Sequence, residues 1–301
     1  MRLGPVLLIA VVAWARPAAG ERVVPRQAPS RIARPGAVFK PTAFSVEIRG
    51  RGRPVILIPG LGCPGSVWHS TMQQMRGYQT YALTLAGFAG KPRIAAPLIE
   101  TTVVELAHYI RAHHLVHPVI IGHSLGGSIA YALAAREPGL VGPVVVVDAG
   151  VPDGAGNEAA AAAARDQWRD GSDAQFARQI DEMFRPMSTR PERMAPVLAE
   201  IAKSDRRAIG DAVYELSVMT VRDLGRIRAP VLVVLADGAL QDDFRRQARA
   251  IREHSVVVLP RTGHFVMLDD PRGFFAAVDD FLEAHSAIAN RRTPPRNARR
   301  N

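Results

Sequence analysis

A lone serine sits between two glycines, where one apolar run ends and a second apolar pattern begins, in VIIGHSLGGSIAY (residues 119–131). A hydroxyl at its free pKa is a weak nucleophile, so chemistry at Ser124 needs both an exposed, strained setting and a base. The spacing supplies the setting. Residues 119–121 read as a strand buried on both faces, and Leu125, Ile129 and Leu133 recur at i, i+4 and i+8, one face of a helix. Strand, tight turn and helix together hold a nucleophilic serine clear of a sheet. Gly122 and Gly126 suit that turn, because a Cβ at either place would collide where the flanking elements touch. The helix N-terminus then faces its N–H groups toward any oxyanion that forms.

His264 is the candidate base. Of nine histidines it is the one directly at the end of the last apolar run, in SVVVLPRTGH (residues 255–264), where it can reach a serine at the same sheet edge.

The elements that must position these groups have a readable rhythm. RPVILIPGLG (53–62), YQTYALTLAG (78–87), HPVIIGHS (117–124), GPVVVVDAG (142–150), APVLVVLAD (229–237) and SVVVLPRTGH (255–264) are short Val/Ile/Leu-rich runs ending in turn residues. Such near-continuous runs fit parallel strands buried on both faces. Helical spacing separates them in TTVVELAHYIRAHHL, DDFRRQARAIREH and RGFFAAVDDFLEAH, so the expected fold is α/β, a doubly wound, mostly parallel sheet. Residues 151–226 break the alternation. NEAAAAAARDQWRD, SDAQFARQIDEMF, RPERMAPVLAEIAKSD and RAIGDAVYELSVMT all read as helices, with Ser172 and Asp205 as caps. An all-helical insert there is expected to form a lid over the C-terminal edge of the sheet. The core is then residues 43–150 together with 227–285.

In these segments the sequence resembles the α/β-hydrolase family, over residues 43–285. VILIPGLG resembles the family's strand and oxyanion loop, GHSLGG its nucleophile elbow, and RTGHFVMLDDP its catalytic-histidine segment. The resemblance implies that Ser124 attacks, that His264 carries the proton, and that the N–H groups of Leu61 and Leu125 form the oxyanion hole. Haloalkane dehalogenases share the fold but carry Asp at the nucleophile, so Ser124 argues against their chemistry.

The acid departs from the common pattern: Ala239 occupies the family's usual place beyond residues 229–237. Asp237 stands two residues earlier, and Asp148 stands at the end of the strand after the nucleophile, a place that other members use. Both satisfy the order Ser, Asp, His, and Asp148 is favoured. Asp242 and Asp243 look more like helix caps.

The resulting expectation is a serine hydrolase that cleaves a small-molecule carboxylic ester through an acyl-enzyme, with no metal or organic cofactor. Lactones, thioesters or perhydrolysis would use the same groups, and a non-catalytic binder would keep the fold without the turnover. Trp68, Phe265, Met183, Phe184 and Met187 are candidates for an acyl pocket, with core packing the competing reading. His113 and His117 have an i, i+4 spacing, but Leu115 and Pro118 end the helix and no third ligand is near, so no metal site is expected. His123 reads as packing, and Cys63, the only cysteine, as a small buried residue with no disulfide partner.

Composition bounds the rest. The chain has 301 residues, 48% hydrophobic and 22% charged, which suits one large folded domain. Its net charge of +10 belongs to the ends: residues 1–42 hold seven basic residues and one acid, and residues 286–301 hold five Arg. Residues 43–285 hold 26 basic and 27 acidic residues, so the body has no excess positive charge for nucleic acid. MRLGPVLLIAVVAWARPAAG has an early Arg, a short apolar stretch and small residues at 18–20, the layout of a signal peptide that exports a periplasmic or secreted protein. An uncleaved membrane anchor is the competing reading, but the stretch is short for a span, so no stable membrane insertion is expected after cleavage. Residues 21–42 are expected to be a basic flexible segment, and 286–301 a disordered basic tail.

Overall fold

The computed structural model describes residues 39–151, 157–221 and 223–285. The expected signal peptide, most of the basic segment after it and the Arg-rich tail lie outside the described residues. Seven strands form one sheet: β1 (Phe44–Gly50), β2 (Arg53–Ile58), β3 (Tyr78–Leu85), β4 (Val119–His123), β5 (Val144–Val147), β6 (Val231–Ala236) and β7 (His254–Leu259), in the order β1-β3-β2-β4-β5-β6-β7. All neighbours are parallel except β1, which runs antiparallel to β3. The apolar runs are the central strands: β4, β5 and β6 are buried at every residue, as strands covered on both faces must be.

The described residues also hold ten α-helices, α1 (His69–Gln74), α2 (Leu98–Ala112), α3 (Leu125–Arg136), α4 (Glu158–Arg169), α5 (Asp173–Phe184), α6 (Pro191–Ile201), α7 (Arg206–Val218), α8 (Gln241–Ala248), α9 (Val266–Asp269) and α10 (Pro271–Ala284), and three short 3-10 helices at Gly65–Trp68, Arg185–Met187 and Leu224–Arg226. Helices α4 to α7 all lie between β5 and β6 in the chain. Ser172 caps α5 in a reciprocal capping box with Gln175, and Asp205 caps α7 by accepting from the N–H groups of Arg207 and Ala208. These short side chains satisfy N–H groups that the first helical turn leaves unpaired.

Helix α2 has no cap of its own, since Pro97 precedes it. Glu215 of α7 fills the role from far along the chain, its two carboxylate oxygens accepting from Leu98 N and Ile99 N at 2.7 Å each. Burial raises the Glu215 carboxyl above its ordinary range even with those two donors. The contact fastens the helical insert to the core.

Three details differ from the sequence reading. Strand β1 was not expected. Helix α8 stops at Ala248, well short of the apolar spacing that runs on to Ile251. Asp242 and Asp243 sit inside its first turn, where they suit the positive end of the helix dipole, but Leu240 occupies the cap position.

Candidate active site

Ser124 is the residue between β4 and α3, with φ 53° and ψ −121°. That backbone lies in a left-handed region that costs an ordinary side chain energy, and such strain is held only where the surroundings enforce it. The enforcement is visible on both sides. Ser124 N donates to Val147 O on β5 at 3.0 Å, and Ser124 O accepts from Gly127 N and Ser128 N at 2.8 and 3.1 Å. A Cβ on Gly122 would stand 2.1 Å from Gly126 O, and one on Gly126 would stand 2.3 Å from Ile58 O. Both glycines are therefore required by closeness.

The parallel register brings the acid alongside. Gly122 pairs with Val146 and His123 with Val147, so Ser124 and Asp148 leave adjacent strands at the same level. Asp148 also adopts a positive φ, 43°. Its N–H donates to Val234 O at 2.7 Å, and its Oδ1 accepts from Ala236 N at 3.0 Å. The other oxygen, Oδ2, accepts from His264 Nδ1 at 2.7 Å. The side chains of His264 and Asp148 are 25% and 15% exposed, so the pair is sheltered but not sealed from solvent. A neutral imidazole donating from Nδ1 keeps its Nε2 lone pair free to accept a proton.

Of the two candidate acids, the structure brings Asp148 to His264 and not Asp237. Asp237 is exposed just past β6, and its partner is Gln241 Nε2 at 3.5 Å. Asp243 is paired with Arg246.

Leu61 and Leu125 flank the serine. Leu125 is the first residue of α3, whose N–H has no intrahelical acceptor. Leu61 follows Gly60, which packs so closely that a Cβ there would lie 3.2 Å from the Cβ of Ser124 and 2.9 Å from His123 Nδ1. Among the described residues neither Leu N–H is spent on another hydrogen bond, and the Ser124 hydroxyl has no partner. In unliganded sites the nucleophile–base bond is commonly long and tightens on substrate.

The pocket expectation for Trp68 and Phe265 is not met. Trp68 is fully buried with its ring 6.2 Å from Phe274, and Phe265 is 1% exposed, 4.9 Å from His123 and 6.4 Å from Phe184. Both are packing residues, Phe265 backing the two histidine rings. Met183 and Phe184 are likewise buried, while Met187 is only partly so. Cys63 is buried, which pushes its thiol up to about 12 and leaves it unreactive. His113 ends α2 with its ring 4.0 Å from Tyr109, and no group of three or more His, Cys, Asp or Glu among the described residues could hold a metal ion.

Several supports were missed from sequence. Ser128 Oγ donates to Gly150 O at 2.6 Å, and Gln247 grips Val151 through both its N–H and its carbonyl at 2.9 Å. Together they fix the turn that carries Asp148. His123 is 1% exposed, and its Nε2 donates to His264 O at 3.0 Å. Burial, with the neighbouring His264 ring, holds its pKa well below the usual histidine range. Position beside Ser124 was the only signal for it.

The chain belongs to the α/β-hydrolase family, whose model matches residues 55–278. A pimeloyl-[acyl-carrier protein] methyl ester esterase of Aeromonas hydrophila is 26% identical over 274 residues, covering 80% of this chain and 99% of the esterase. An sn-1-specific diacylglycerol lipase of Danio rerio is 29% identical over 129 residues; that match spans 40% of this chain and only 41% of the lipase. Among solved structures, an esterase from Thermogutta terrifontis superposes with a TM-score of 0.70 at 19% identity, over 80% of this chain and 94% of the esterase. Membership of this family supports hydrolase activity, and the 19% identical esterase structure shows the likeness of fold alone.

Proposed function

We propose that this protein is a serine hydrolase that cleaves carboxylic esters of small molecules through an acyl-enzyme. The observation that carries the reading is the 2.7 Å contact between His264 Nδ1 and Asp148 Oδ2 at the sheet edge that also presents the strained Ser124.

In this mechanism His264 Nε2 takes the proton from Ser124 as Oγ attacks the ester carbonyl. Asp148 keeps the ring oriented and stabilises the imidazolium that forms. The carbonyl oxygen, now negative, is held by the N–H groups of Leu61 and Leu125. Collapse expels the alcohol, which receives the proton from His264, and leaves Ser124 acylated. Water, deprotonated by the same imidazole, attacks the acyl carbonyl and releases the acid and free Ser124. Helices α4 to α7 act as the lid over this site. We further propose that residues 1–20 direct export, which N-terminal sequencing of the mature protein would test by finding its start near residue 21.

The direct test is turnover of p-nitrophenyl butyrate together with labelling by a fluorophosphonate. Turnover, with the label on Ser124 and lost in Ser124→Ala, is expected. Absence of both would overturn the reading.

A further inference from the structure

Asp269 is a buried carboxylate that the mechanism above does not use. It is 5% exposed, at the end of α9, five residues after His264. A buried carboxylate is retained only where donors surround it, and here those donors come from two distant parts of the chain. On one side Gly263 N, directly before His264, donates to Oδ2 at 2.6 Å. On the other side, in the connection between α5 and α6, Ser188 Oγ donates to Oδ1 at 2.5 Å, and Thr189 N donates to both oxygens at 3.2 and 3.1 Å.

The seam continues around this carboxylate. Phe265 N donates to Met187 O at 3.4 Å, Thr189 Oγ1 to Arg261 O at 3.4 Å, and Arg193 Nη1 to Leu268 O at 2.8 Å. A Cβ on Gly263 would lie 2.4 Å from Met187 O, so the two loops touch backbone to backbone. Ser188 is itself fixed, because its Oγ accepts from Arg190 N at 3.0 Å. The helical insert is thus stitched to the segment bearing His264.

We propose that Asp269 is a positioning residue that couples the helical insert to His264, so that the placement of the α5–α6 connection sets the placement of the imidazole. This rests on the reading of His264 as the base. An insert displaced by a bound acyl chain moves Ser188 and Thr189, and Asp269 transmits that movement to Gly263 and the ring beyond it. Asp269 touches no reacting atom.

Two variants separate coupling from bulk stability. Asp269→Asn replaces one acceptor oxygen with a donor that must face an N–H or O–H. Ser188→Ala removes the one side-chain donor that the insert gives Asp269, together with the acceptor of Arg190 N, and leaves the Thr189 and Gly263 N–H bonds in place. Expected for Asp269→Asn is a kcat on p-nitrophenyl butyrate lower by about 10- to 100-fold, with KM changed less than kcat. Ser188→Ala lowers kcat by a smaller factor in the same direction. The decisive readout is the downfield proton resonance of His264 Nδ1–H, bonded to Asp148, which shifts or broadens in Ser188→Ala although the substitution lies on the other side of Asp269.

Wild-type kcat and an unmoved resonance in folded Ser188→Ala would overturn the coupling, whether or not Asp269→Asn folds. A wild-type protein with no turnover and no fluorophosphonate labelling would instead overturn the hydrolase reading. The resonance in Ser188→Ala would then still decide whether Asp269 links the two loops.

Discussion

At the scale of single residues the two aspartates make opposite predictions. Asp148→Asn retains the size of the side chain but no longer favours the imidazole orientation with Nδ1–H toward it, and it no longer stabilises the imidazolium. We expect kcat to fall by up to about 10⁴-fold, as for loss of the acid in other triads. Asp237→Asn should leave kcat unchanged, because that carboxylate faces solvent and Gln241. Steady-state kinetics on the two variants checks both. From sequence the choice stayed open because both acids keep the required chain order. What decides between them is pairing: Asp148 directly follows Val147 on β5 and takes the N–H of Ala236 from β6, which aims its free oxygen at His264.

His123 carries the pH prediction. Its folded pKa is depressed, so between that value and the unfolded value of about 6.5 the unfolded chain holds the extra proton. Stability from this group is therefore complete above pH ~6.5 and is lost as pH falls below it, with a slope of up to about 1.4 kcal/mol per pH unit. Urea denaturation at pH 7.5 and 5.5 measures it. The loss on acidification should be smaller in His123→Asn, and an equal loss in both proteins would exclude the assignment.

At the scale of elements, the elbow depends on contact between β2 and α3. Gly126→Ala forces a methyl to within 2.3 Å of Ile58 O and 2.7 Å of Pro59 O, both backbone atoms that cannot swing aside. We expect a destabilisation of about 1–3 kcal/mol, the usual cost of overpacking, with a fall in kcat because the displaced helix carries the Leu125 N–H. Glu215→Ala leaves the first turn of α2 uncapped and should cost about 0.5–2 kcal/mol. A smaller loss in thermal unfolding would mean that water replaces the carboxylate at little cost. Much at this scale was legible beforehand. The buried runs became β2 to β7, and all four helices of the insert lie where their spacing and the caps Ser172 and Asp205 put them. Strand β1 differs in kind from the near-continuous apolar runs: FSVEIR alternates apolar and polar residues, the period of a strand covered on one face, and it lies at the sheet edge paired only with β3. Trp68 misled because a large aromatic near an oxyanion loop reads the same whether it faces a ligand or, as here, Phe274.

At the scale of the whole molecule, charge and chemistry occupy different parts of the chain. The candidate site and every support named for it fall within residues 43–285, which carry 26 basic and 27 acidic residues. In the sequence the basic excess lies in residues 1–42 and 286–301, outside the stretch that contains Ser124 and His264. Attraction to an anionic surface should then depend on the ends, with a steep salt dependence, while turnover depends on the body. A chain trimmed to residues 39–285 is expected to keep the kcat and KM of the full chain on p-nitrophenyl butyrate. On a cation exchanger the trimmed chain should elute at much lower salt. Equal retention of the two forms would mean that the body presents a basic face despite its balance. Loss of kcat with retention of fold would mean instead that a terminal segment reaches the site, so the paired measurement separates binding to surfaces from hydrolysis.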